Sequence, residues 1–190
     1  MADQIVAFAG SLRRGSYNRA LTHAAKELAP EGMNIELIEI GDLPFYNADV
    51  EAEGDPPSVA AFKAALRQAN GILIATPEYN QGIPAVLTNA IDWGSRLPGH
   101  SPLMGKPVAI MGASPSQIGT ARAQVHLRQV LGHVRAHVLP PPELLIVRAH
   151  ERFDGGRLKD EATRRVLADL LTRFGRWIGR ERAAARAEQL

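Results

Sequence analysis

Short apolar runs alternate with longer stretches of helical period along the chain. "QIVAFAG", from Gln4 to Gly10, reads as a strand and leads to a helix from about Asn18 to Leu28. "NIELIEI" comes next, then a helix around Ser58 to Ala69. "GILIAT" precedes a helix starting near Pro84, and "PVAIMGAS" precedes one around Thr120 to Leu131. "RAHVLP" precedes a last helical stretch from about Asp160. Five strands alternating with five helices predict parallel βαβ units with right-handed crossovers. The fold class is α/β: a doubly wound, five-stranded parallel sheet in a three-layer α/β/α sandwich. Several of the apolar runs lack strict alternation, as expected where helices cover both faces of a sheet.

Ligands of such folds sit at the carboxyl ends of the strands, where the strand order reverses. That rule selects three loops, "GSLRRGSYN", "TPEYNQGIP" and "GASPSQIG", which follow the first, third and fourth strands. Two further connections, "LPFYNADVEAEGDPPS" and "SRLPGHSPLMGKP", read as a mobile rim and an exposed link. The tail "RERAAARAEQL" reads as a fraying helix end.

A chain of 190 residues with 45% hydrophobic content suits one globular domain spanning residues 1–190. The absence of cysteine removes thiolate nucleophiles, disulfides and cysteine metal sites, so any redox chemistry must be borrowed from a cofactor. A net charge of +2 without a basic stripe gives no argument for nucleic acid. No apolar run approaches a membrane span, and "MADQIVAFAG" reads as a strand and not a signal peptide, so the expected location is the cytoplasm. Six scattered histidines read as surface or interface residues, with no metal expected. Ile91 and Trp93 are expected in the core or in a contact between subunits.

The first loop lacks both G-x-G-x-x-G and a Gly-Lys-Ser/Thr ending, so neither common nucleotide fingerprint applies. Ser11, Arg13, Ser16 and Asn18 offer donors suited to a phosphate monoester at a helix N-terminus. The competing account has Ser16 or Asn18 capping the helix and Arg13 as a surface charge. In the second loop Pro77 shapes a turn, Tyr79 supplies an aromatic face, and Asn80 with Gly82 allows unusual backbone angles, so that backbone N–H groups can face a planar heteroaromatic. There the plain alternative is a tight connection with Tyr79 as core filler and Glu78 solvated. In the third loop Gly112, Ser114, Ser116 and Gly119 allow close approach from the other side, or a serine caps the next helix.

With "GSLRRGSYNRAL", "TPEYNQGIPAVLTNAIDW" and "PLMGKPVAIMGAS" in order, the chain resembles the NADPH-dependent FMN reductase family, especially its bacterial quinone and chromate reductase branch. The likeness spans roughly Gln4 to Asp154. It implies a flavodoxin-like fold, noncovalent FMN, NADPH or NADH as donor, a quinone as acceptor with chromate or azo compounds as further ones, and a homodimer or homotetramer. Carried over by motif, Ser11, Arg13, Ser16 and Asn18 form the FMN phosphate site, and Pro77, Glu78, Tyr79, Asn80 and Gly82 form the isoalloxazine loop, with Ser114 as a third contact. No side chain is expected to be catalytic, since the chemistry belongs to flavin N5. The alternatives are a flavin reductase that releases reduced FMN to a monooxygenase and a flavodoxin-like electron carrier. The carrier reading suits an acidic protein, whereas this chain has a pI of about 9.2. A serine hydrolase using Ser11 lacks a G-x-S-x-G elbow.

Overall fold

The computed structural model describes residues 2–96 and 99–187. Four strands, β1 (Asp3–Ala9), β2 (Met33–Leu37), β3 (Gly71–Ala75) and β4 (Pro107–Ala113), pair in parallel in the order β2-β1-β3-β4. The fifth place, beside β4, is shared by two short strands, β5 (His137–Val138) and β6 (Leu144–Ile146). The sequence reading put one strand there. Pro140, Pro141 and Pro142 have no N–H to give to the ladder, so the chain leaves the sheet at the proline run and rejoins it afterwards.

Alternate residues of β1, β3 and β4 feed two cores. Ile5, Ala7 and Ala9 of β1 pack with helices α1 (Tyr17–Glu27) and α7 (Glu161–Ala187). Val6 and Phe8 pack with α3 (Pro57–Gln68), α4 (Ala85–Gly94) and α5 (Ala121–His133) on the other side. This is the three-layer, doubly wound arrangement expected, with helices on both faces and β3 and β4 buried throughout. Ile91 and Trp93 of α4 belong to the second core. Gly71 shows how tightly α7 docks: a Cβ there would lie 2.8 Å from both Phe174 and Ile178.

The rim after β2 is not loose. It holds a short helix, α2 (Ala48–Ala52), capped by Asn47. Its approach is pinned from α4, where Trp93 Nε1 and Asn89 Nδ2 donate to the Pro44 carbonyl at 2.8 and 2.9 Å and Asn89 Oδ1 accepts from Tyr46 N at 2.8 Å. The Tyr46 ring stands edge-on to Trp93 at 5.1 Å. In the link before β4, Leu103 is buried against Gly94, while Leu97 and Pro98 lie outside the described residues.

Beyond β6 come α6 (Ala149–Arg152) and a small antiparallel hairpin, β7 (Phe153–Asp154) and β8 (Arg157–Leu158), none of which the sequence pattern announces. The tail does not fray where expected. Helix α7 runs to Ala187, tied by ion pairs of Arg182 with Asp3 and Glu181 with His137 and by Trp177 Nε1 donating to the His137 carbonyl at 2.9 Å. Positions 188–190 of that tail lie outside the described residues. Among the described residues no helix is long and apolar enough to cross a membrane, and no group of three metal-ligating side chains occurs.

Candidate functional site

The three loops meet, as the strand-end rule requires, around one cavity of about 390 Å³ beyond β1, β3 and β4. Its wall contains Ser11, Arg13, Ser16 and Asn18 from the first loop, Pro77, Glu78 and Tyr79 from the second, and Ser114 from the third. Asn80 and Gly82 are not part of that wall. Tyr17, Ala113 and Pro115 are, and sequence reasoning missed them. Tyr17 could have been found from its place in the donor-rich loop. Ala113 carries no chemical signal at all.

The first loop leaves β1 through Gly10, whose N–H donates to the Ala75 carbonyl at 2.9 Å. A Cβ on Gly10 would press on Leu87 at 3.2 Å and Pro77 at 3.3 Å, so glycine keeps the first and second loops together. Ser16 does cap α1: its Oγ accepts from Arg19 N at 3.3 Å, which leaves its O–H to donate elsewhere. Asn18 differs from expectation. It is buried, its Nδ2 donates to the Ala113 carbonyl and its Oδ1 accepts from the Ala113 N–H, both at 2.9 Å. The amide therefore joins the start of α1 to the end of β4, and only one Nδ2 hydrogen is left for a ligand. Ser11 is buried, yet its hydroxyl takes no partner among the described residues. Arg13 is exposed and has no carboxylate partner among them either, its guanidinium lying 5.6 Å from the centroid of the Tyr17 ring.

The second loop is a two-residue hairpin. Tyr79 and Gly82 exchange both backbone hydrogen bonds, at 3.1 and 3.0 Å, across Asn80 and Gln81. Asn80 and Gln81 have φ of 51° and 64°, the pair of left-handed conformations of a type I′ turn. The expectation that Gly82 supplies the unusual angle is thus corrected, since the strain falls on Gln81. Gly82 instead lies under His126, whose Nδ1 would be 3.4 Å from a Cβ there. Glu78 is not merely solvated: its Oε2 accepts from Ala123 N, in the first turn of α5, at 3.0 Å. A carboxylate at that helix end satisfies an orphan donor and meets the positive end of the helix dipole. The alternative in which a local serine caps this helix does not hold, since its first turn is met from a loop 45 residues earlier.

In the third loop Gly112 has a structural task, because a Cβ would lie 1.9 Å from Thr120 Oγ1 and 2.6 Å from the Thr76 carbonyl. Ser114 is fixed through its backbone, its N donating to Ile146 and its carbonyl accepting from Ala149 N, both at 3.0 Å. Its hydroxyl and that of Ser116 are 3.1 Å apart. Near the start of α1 the wall has the Ser11 hydroxyl and the Arg13 guanidinium, without hydrogen-bond partners among the described residues, and the O–H of Ser16; the half-exposed ring of Tyr79 stands elsewhere on a stiff hairpin. Such a site takes an anion joined to a flat, largely apolar group.

The family pattern described as NADPH-dependent FMN reductase matches residues 4–151. The chain is 48% identical over 185 residues to an NAD(P)H-dependent FMN reductase of Pseudomonas aeruginosa, covering 96% of this chain and 100% of that protein. It is 43% identical over 181 residues to a quinone reductase of Escherichia coli, covering 93% and 96%. Among solved structures, FerB, a flavoenzyme NAD(P)H:(acceptor) oxidoreductase from Paracoccus denitrificans, superposes with a TM-score of 0.87 at 36% identity over 95% of this chain and 99% of that one. Nearly end-to-end likeness at this identity, on the fold and strand-end cavity described above, leaves one assignment: the chain belongs to the NADPH-dependent FMN reductase family.

Proposed function

We propose that this chain is an NAD(P)H-dependent oxidoreductase that holds FMN in the three-loop cavity and reduces quinones. The observation that carries the reading is the cavity's division of labour, with unpaired donors of Ser11, Arg13 and Ser16 at the start of α1 and a rigid aromatic-bearing hairpin opposite. Those donors suit a terminal phosphate monoester, and the hairpin suits a planar ring. Bound FMN supplies a two-electron relay between donor and acceptor. In the balanced reaction NAD(P)H loses a hydride, and the quinone gains that electron pair with two protons, one of them from solvent. The chain's own part is to bind the phosphate, to orient the ring through residues 77–82, and to keep Glu78 committed to α5.

The proposal extends to residues 1–190 as one domain, supported by Leu167, Leu170, Leu171, Phe174 and Ile178 of α7 sharing a core with β1. It carries over from the resemblance a cytoplasmic homodimer or homotetramer, checked by light scattering on the purified protein, and chromate or azo compounds as incidental acceptors. The decisive measurement is an absorbance spectrum before and after exhaustive gel filtration, with mass spectrometry of the heat-released chromophore. Retained FMN is expected. FAD as the main species, or no flavin uptake on reconstitution, sinks the reading. Flavin that washes out yet is reduced when added with NAD(P)H marks the enzyme that releases reduced FMN. Stopped-flow traces should show NAD(P)H bleaching the flavin before quinone is added, and quinone restoring it.

A further inference from the structure

Arg13 is held in an unusual way. An arginine in a loop is normally oriented by a carboxylate, but a carboxylate would neutralise the charge that an anionic ligand needs. Here the guanidinium has no acidic partner among the described residues and lies 5.6 Å from the Tyr17 ring centroid, within cation–π range. Tyr17 is in turn seated on the buried Phe153 of β7, with ring centroids 5.4 Å apart and planes tilted by 47°. Gly15 also lies beside the guanidinium, since a Cβ there would be 3.1 Å from Arg13 Nη1.

We propose that Tyr17, braced by Phe153, is a positioning residue that holds the Arg13 guanidinium at the cavity without neutralising it. This rests on the reading of Arg13 as a phosphate ligand. An aromatic face orients a planar cation while leaving its N–H fork free for phosphate oxygens. The small β7–β8 hairpin thereby gains a role, because it supplies the floor on which the ring rests.

The test uses the full chain stripped of flavin, titrated by fluorescence with FMN and with riboflavin, which has the ring but no phosphate. Tyr17→Leu should weaken FMN about threefold to tenfold and leave riboflavin unchanged. Tyr17→Phe, which keeps the ring face, should bind both flavins like the wild type. In an Arg13→Ala background Tyr17→Leu should add no further loss, because the ring acts through the guanidinium. Tyr17→Met, which fills the space without an aromatic face, should show the same selective loss of FMN and serves if Tyr17→Leu does not fold. Equal losses for both flavins, or a full Tyr17→Leu effect without Arg13, overturns the positioning role. If Arg13→Ala itself fails to separate FMN from riboflavin, the phosphate reading falls and the positioning role with it. Selectivity lost in Arg13→Ala and kept in Tyr17→Leu and Tyr17→Met overturns the positioning role alone.

Discussion

The loop after β1 and the hairpin after β3 face the same cavity and are built in opposite ways. In the first, the Ser11 hydroxyl and the Arg13 guanidinium take no hydrogen-bond partner among the described residues, and Ser16 uses only its acceptor side. In the second, Tyr79 and Gly82 satisfy each other, Glu78 is taken up by α5, and Gln81 tolerates a left-handed φ to keep the turn tight. On the function proposed above, the difference follows from what each side has to recognise. A charged group is bound by donors that are free when it arrives, whereas a flat ring is bound by a surface whose shape does not change. Asn18 stands between the two designs: it belongs to the first loop by sequence and to the rigid framework by its bonds to Ala113.

Substitutions along this divide should separate phosphate recognition from shape. The largest effect is expected at Asn18. Asn18→Ala strands a buried N–H and a buried carbonyl of Ala113, for about 2–4 kcal/mol of stability. Affinity for FMN and riboflavin should fall together, and chemical denaturation with both titrations checks this. Loss of FMN alone would return Asn18 to the donor side. Next comes Arg13→Ala, which removes a charge-assisted hydrogen bond worth roughly 1.5–3 kcal/mol and should cut FMN affinity about tenfold to a hundredfold. Riboflavin affinity and melting temperature should hardly move.

Glu78→Ala removes a cap from α5 and should cost about 1 kcal/mol. That would lower the melting temperature by about 2–4 °C for a chain of this size, and both flavins should weaken alike because the hairpin loses its anchor. Glu78→Gln keeps an acceptor at the Ala123 N–H and should recover most of the loss; failure to recover would assign the effect to the charge. The smallest effect is a gain. Gln81→Gly relieves a left-handed side chain, a penalty of about 1–2 kcal/mol, partly offset by greater freedom in the unfolded chain. A net rise of roughly 1–3 °C in melting temperature is expected.

The alternation of strands and helices was legible because the central strands, buried on both faces, are short unbroken apolar runs set between longer stretches of helical period. The three site loops were legible for the same reason, since fold class alone places them. What escaped is long-range or short in span. Nothing near Glu78 in sequence points to Ala123, and nothing near Pro44 points to Trp93, yet those bonds turn a polar-looking rim and a solvated acid into fixed parts. The hairpin of β7 and β8 has two residues per strand, too few for any period to register. Gly112 looked like room for a ligand but is room for Thr120, a distinction that needs coordinates.

The bond pair between Asn18 and Ala113 joins residues 95 positions apart. A ribosome-bound chain that ends before β4 already carries the whole donor-rich loop but lacks the Ala113 backbone that fixes Asn18. The cofactor pocket is therefore a late product of folding, closed only when the fourth strand docks. A ligand of that cavity thus meets its complete wall only once Ala113 and Ser114 are in place at the end of β4.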